Sequence, residues 1–214
     1  PEDLAKIFQL EFGDVLSVVA QGVNIEIDCK DGVRPIRLLG RDAEIIGNKV
    51  TTRLNQLYSE QEKYLVLEVE IPASKAGIRR NVATVNINYN NMADQQLASL
   101  SGSTYAEFTK STERVVESIN KTAYEDSVEQ VANEISKKAV KLRDKGDVSA
   151  AKDLLKQNAD YLGKQSSLIQ SQKLEEQERE NLEDAQQLDN DTEWNKNRKL
   201  YKEKQYKRST QQSY

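Results

Sequence analysis

The sequence predicts an α+β chain: an antiparallel β-sandwich of six or seven strands, preceded by one helix and followed by an α-helical hairpin and a tail helix. Three observations lead there. Short runs before residue 110 alternate apolar and polar side chains at period two. Turn signals such as Asp31-Gly32 and Gly47-Asn48 separate those runs. From Ser111 the apolar period changes to 3.6.

The opening stretch places Leu4, Ile7, Phe8, Val15, Leu16 and Val19 on one face of a helix over 3–19, interrupted by Gly13. Val23, Ile25, Ile27 and Cys29 then alternate with Asn24, Glu26 and Asp28 as a half-buried strand. Further strands are expected near Val33–Leu39, Ala43–Ile46, Lys49–Leu54, Tyr64–Ile71 and Val82–Tyr89, with a last short one near Thr104–Thr109. One continuous stripe from Val115 through Ile119, Val128, Ala132 and Ile135 to Leu142 predicts a long helix capped by Ser111 or Thr112. Gly146 suits the left-handed position that ends it, and Asp147 the N-cap of the next helix, whose apolar side chains thin out after Ile169. This hairpin is similar to a tetratricopeptide unit, but no second copy follows, so no solenoid is expected. The predicted domains are a leader helix at 1–20, a β-sandwich at 21–110 and a helical extension at 111–214.

Composition excludes several chemistries. The 214 residues include no histidine, which removes Ser-His-Asp triads, Cys-His dyads and His-ligated zinc. The single Cys29 rules out an intrachain disulfide and shares the strand face of Val23 and Ile25, so it reads as a small buried apolar residue. One cysteine suits the cytoplasm without distinguishing it from export. The first residue is Pro1, which reads as a processed product or an excised fragment. No run approaches the roughly 18 apolar residues that span a bilayer, which predicts a soluble chain. The mean hydropathy of −0.76 and the 37 % hydrophobic content leave part of the chain with little core of its own.

Three polar stretches are candidate sites. The loop Tyr58–Lys63 holds Glu60 and Glu62, but nothing near them would raise one carboxyl for acid/base work, so it reads as a corner between strands. The stretch "DNDTE" at 189–193 resembles the start of a calcium loop, yet Trp194 and Leu200 stand where glycine and glutamate belong. Asp191 is better read as a helix cap. Residues 175–193 carry nine acids and one arginine, and 194–208 seven basic residues and one glutamate, so two helices of opposite charge either pair or are solvated separately. Trp194, Lys196, Arg198, Lys199 and Lys202 are the candidate partner-binding residues on the second.

Taken in order, "IFQLEFGDVLSVVAQGVNIEI", "VRPIRLLGRDAEIIGNKVTTRLNQLYSEQEKYLVLEVEIP", "VATVNINY", "LRDKGDVSAAKDLL" and "EWNKNRKLYKEKQYKR" resemble the region that follows the von Willebrand factor type A domain in prokaryotic proteins. The resemblance implies that the opening helix is the last of a type A domain and that the strands form a sandwich beside it. Type A domains bind a divalent cation through a D-x-S-x-S motif. The motif is absent, so no metal site carries over to any residue and no cofactor is expected. The expected function is a non-enzymatic, structural interaction region that positions a type A domain and docks a protein partner or self-associates. The alternative is binding of nucleic acid or an anionic membrane surface through the basic C-terminal helix, although the net charge of −4 argues against a nucleic-acid coat.

Overall fold

The computed structural model describes residues 18–189 and 191–211. Contacts divide the chain into two compact units, Pro1–Lys110 and Ser111–Tyr214. The expected leader helix lies outside the described residues as far as residue 17. Its last positions and the end of the predicted 1–20 segment are strand instead, because β1 runs Val18–Cys29.

Among the described residues the first unit has seven strands. They are β1, β2 Arg34–Leu39, β3 Glu44–Ile46, β4 Lys49–Tyr58, β5 Val66–Glu70, β6 Arg79–Asn91 and β7 Gln96–Glu107. Five form one antiparallel sheet in the order β3-β4-β1-β6-β7, and β2 and β5 pair as a separate ribbon. Where an antiparallel sandwich of six or seven strands was expected, the described residues show seven strands divided into a five-stranded sheet and a two-stranded ribbon. β1 is central: Ile25 faces Thr52 of β4 and Ile87 of β6, and Ile27 faces Val50 and Val85. Its register against β6 shifts between Gln21 and Asn24, where Gly22 adopts φ +61, the left-handed conformation a bulge requires. Ala20, Val23, Ile25, Ile27, Val50, Leu54 and Ala83 are buried in one cluster, against which Leu65 and Leu67 also pack. The β2–β5 ribbon is laced by opposite charges across its strands, Arg34 with Glu70 and Arg37 with Glu68, the latter at 2.6 Å.

β7 is the largest departure from expectation. It begins eight residues before the predicted Thr104 and pairs with β6 from Arg79↔Glu107 to Asn91↔Gln96. The hairpin tip is closed by side chains: Asn91 accepts from the Ala93 amide at 3.0 Å and Asp94 from the Gln96 amide at 3.1 Å.

Among the described residues the second unit has five helices, where a hairpin and one tail helix were expected. They are α1 Thr112–Glu117, α2 Lys121–Asp144, α3 Val148–Ile169, α4 Gln172–Gln187 and α5 Asp191–Thr210. The predicted long helix from Ser111 is broken, because Asn120 caps α2 by accepting from the Ala123 amide at 3.1 Å. Ser111 caps α1 on Arg114. Gly146 has φ +88 and Asp147 accepts from Ala150, as the hairpin reading requires.

Two apolar clusters alternate along these helices with a layer of amides. Val128, Ala132, Leu162, Ile169 and Leu174 form one cluster. Ala139, Val140, Ala151, Leu155, Ala185, Leu188, Trp194 and Tyr201 form the other. Between them in sequence on α2, α3 and α4 stand Asn133, Asn158 and Asn181, all buried. Asn158 is fully inaccessible and donates to the Ala132 carbonyl at 3.0 Å, Ser136 Oγ at 3.1 Å and Asn181 Oδ1 at 2.9 Å, tying three helices together. Asn133 donates to Gln205 O and Ser209 Oγ and so ties α2 to α5. Buried amides that find partners in only one alignment fix that alignment.

α5 is also held by charge. Arg208 reaches Glu180 at 2.6 Å and Lys204 reaches it at 3.9 Å, so the acidic and basic helices do pair. Burial pushes the Asp184 carboxyl up to about 6, against the opposing pull of Lys204 and the Tyr201 hydroxyl.

Two outcomes follow from these contacts. Asn158→Ala removes a buried donor from Asn181 Oδ1, which keeps only the 3.3 Å bond from Ser136 Oγ, and should lower thermal stability of the helical unit by about 1–3 kcal/mol, read by calorimetry. A raised carboxyl keeps its proton in the fold after the unfolded chain has lost it, so stability falls as pH rises from about 4 to about 6. Asp184→Asn should remove that fall and stabilise the chain by about 2 kcal/mol at pH 8, with little change at pH 4, in melts across pH.

Candidate interaction surfaces

The five-stranded sheet sorts its side chains by strand alternation, and its two faces have opposite chemistry. On the core face, Ile25 of β1, Ile87 of β6 and Leu100 of β7 stand in one row across three strands. Among the described residues the cover over this face is incomplete. A groove of about 420 Å³ opens among Val19, Val23, Leu57, Tyr89 and Leu100, with Lys63 at its rim. Burial, followed by the charge of Arg41, lowers the Lys63 ammonium.

The opposite face carries hydroxyls, amides and charges. Its rows run Arg53–Asn24–Asn88–Ser99 and Thr51–Glu26–Asn86–Ser101. Arg53 donates to Asn24 at 3.2 Å, Ser101 donates to Asn86 at 2.7 Å, and Lys49 pairs with Glu26 at 3.3 Å. These groups satisfy one another across strands.

The Tyr58–Lys63 loop is a corner. Gln61 N bonds Tyr58 O at 3.3 Å and Glu60 takes φ +61, and an irregular stretch then leads into β5. It joins the groove through Lys63 and not through its two glutamates. Cys29 is buried, as its strand face predicts, and burial pushes its thiol up, with Asp28 adding to the shift. Among the described residues no group of three or more acidic or cysteine side chains is placed to hold a metal ion. No helix there is long and apolar enough to cross a membrane.

The candidate residues of α5 separate. Trp194, expected on a binding surface, is 6 % exposed. Its ring stacks on Tyr201 at 5.6 Å and lies under the Arg143 guanidinium at 5.4 Å. Arg198 grips Asp144 with two bonds, at 2.5 and 2.8 Å, and Lys202 reaches the same carboxylate at 3.0 Å. Those bonds, Arg198 first, hold the Asp144 carboxyl down to about 2. Lys196 and Lys199 lie on the exposed side of the helix. Three of the five thus serve the helical unit itself. What the sequence concealed is that their partners, Arg143 and Asp144, lie some fifty residues earlier at the end of α2.

No family model and no curated protein sequence matches the chain. Two solved structures are similar in shape. One is described as "von Willebrand factor type A from Catenulispora acidiphila", with a TM-score of 0.55 at 13 % identity over 78 % of this chain. This chain spans 41 % of that protein's length. The other is "Crystal structure of the ArnB paralog VWA2 from Sulfolobus acidocaldarius", with a TM-score of 0.44 at 9 % identity, covering 91 % of this chain and 43 % of that one. At these identities the likeness concerns the fold alone: the chain has a fold related to that of the Catenulispora acidiphila type A structure.

Proposed function

We propose that this chain is a non-catalytic interaction region. In this reading it corresponds to the part that follows a type A domain, and its sheet unit acts as a half-covered sandwich. The groove on the core face seats an apolar segment of a protein partner, and the partner that the resemblance favours is a type A domain. The helical unit is a docking or self-association platform attached to it.

The observation that carries the reading is the groove lined by Val23, Leu57 and Tyr89, which no described residue covers. Apolar surface left open on a sheet that is otherwise closed by a core is costly in water and marks a place where something binds. The alternative, nucleic acid or an anionic membrane on α5, draws less support, because Arg198, Lys202, Lys204 and Arg208 are already turned to Asp144 and Glu180.

The test is hydrogen exchange on this chain alone and with a type A domain joined ahead of residue 1. Amides of 19–25 and 85–91 should exchange at least tenfold more slowly in the joined protein. Val19→Glu, which charges the rim at an exposed position, should cancel that slowing. Unchanged exchange at the groove would contradict the reading.

A further inference from the structure

The outer edge of β7 is unlike the other edge of its sheet. β3 closes one side with three residues, a length too short to template another strand. β7 closes the other with twelve, and from Gln96 to Ala106 it contains no charge and no proline. Lysine and proline, two of the usual devices that blunt an edge, are missing from its sequence. Its side chains are nearly all exposed, with Leu97 at 83 % and Leu100 at 59 %.

We propose that this edge pairs with the same edge of a second copy, joining two five-stranded sheets into one across a two-fold axis. The inference rests on the reading of the chain as an interaction region and names one of its partners. An antiparallel self-pairing that keeps polar face beside polar face must set residue i opposite a residue of the same parity. The pairing centred on Ser101 uses the whole uncharged stretch. It sets Leu97 opposite the second copy's Tyr105, twice by symmetry. On the core face it sets Leu100 opposite Gly102, where a side chain would meet nothing within 4 Å. Ser99 then faces Ser103, and Ser101 faces itself.

In this register the hairpin tip with Asp94 comes opposite Phe108 of the second copy, beside the Arg79↔Glu107 pair of β6 and β7, so the strand ends add no net like-charge block to the uncharged stretch between them. The axis also places the two apolar grooves on the same side of the joined sheet, since Leu100 lines each groove.

The test uses the full chain carrying Ser101→Cys, with Ser99→Cys as control. The native Cys29 is buried. Facing residues in an antiparallel pair have Cα atoms about 4.5–5.5 Å apart, within disulfide reach. Two copies of residue 99 would be offset by about 14 Å along the strand, beyond it. Mild oxidation should cross-link most of the Ser101→Cys protein into dimers and little of the Ser99→Cys protein. Light scattering of the native chain should show mass rising from monomer to dimer with concentration. Ser101→Lys, which sets two ammoniums at the axis, should weaken that association at least tenfold while circular dichroism stays unchanged. Equal cross-linking of both cysteine variants, cross-linking of neither, or a dimer indifferent to Ser101→Lys would overturn the proposal. So would an edge that takes a strand only from a different protein. The groove variant Val19→Glu lies off this strand, so failure here and failure of the groove reading are separable.

Discussion

β1 is paired on both edges, and everything in the sheet unit depends on that. A strand bonded on two sides cannot rotate, so its period of two becomes a division of the whole sheet into an apolar face and a polar one. Ile25 and Ile27 fix which side is the core. Through the registers to β4 and β6 they commit Val50, Val85 and Ile87 to the same side. Asn24, Glu26 and Asp28 commit the other. Because β6 carries the division on to β7, Leu100 stands in the apolar row although little covers it there. The two-stranded ribbon reaches this face through Leu67, and the groove opens among the neighbouring core-face residues.

The helical unit solves the same problem of specification differently. Apolar stripes alone allow helices to slide by a turn, since one aliphatic row packs nearly as well as the next. The amides of Asn133, Asn158 and Asn181 remove that freedom, because each donor finds its acceptor in one alignment. The charges of α5 are drawn into the same task. Arg198, Lys202, Lys204 and Arg208 face Asp144 and Glu180, so much of the basic charge of this helix is met within its own unit.

Much of this was legible in the sequence, for physical reasons that also explain the rest. Val23 to Cys29 and Val82 to Tyr89 alternate cleanly because both strands have one dry face and one wet face. Gly146 and Asp147 announced the hairpin because a left-handed residue followed by an N-cap is a local necessity. The first eight residues of β7 were missed because an edge strand wet on both faces has no reason to alternate. Its serines and Gly102 look like a loop. The break before α2 was missed because Asn120 interrupts no apolar stripe and acts only through one hydrogen bond. Trp194 was misplaced because an aromatic residue among lysines suggests a surface until Arg143 and Tyr201 are brought to it by the fold. The groove is a property of incomplete cover, and no single residue encodes it.

The most direct measurement is residue-resolved amide exchange of the native chain at low and high protein concentration. The slowest amides of the sheet should lie in β1, at Ile25 to Asp28. In dilute solution the amides of β7 should alternate between protected and unprotected, since only one of its edges is bonded, and the unprotected set should slow as concentration rises. Uniform protection along β7 in dilute solution would mean that the edge is already covered, and would contradict the account of an open sheet that completes itself by binding.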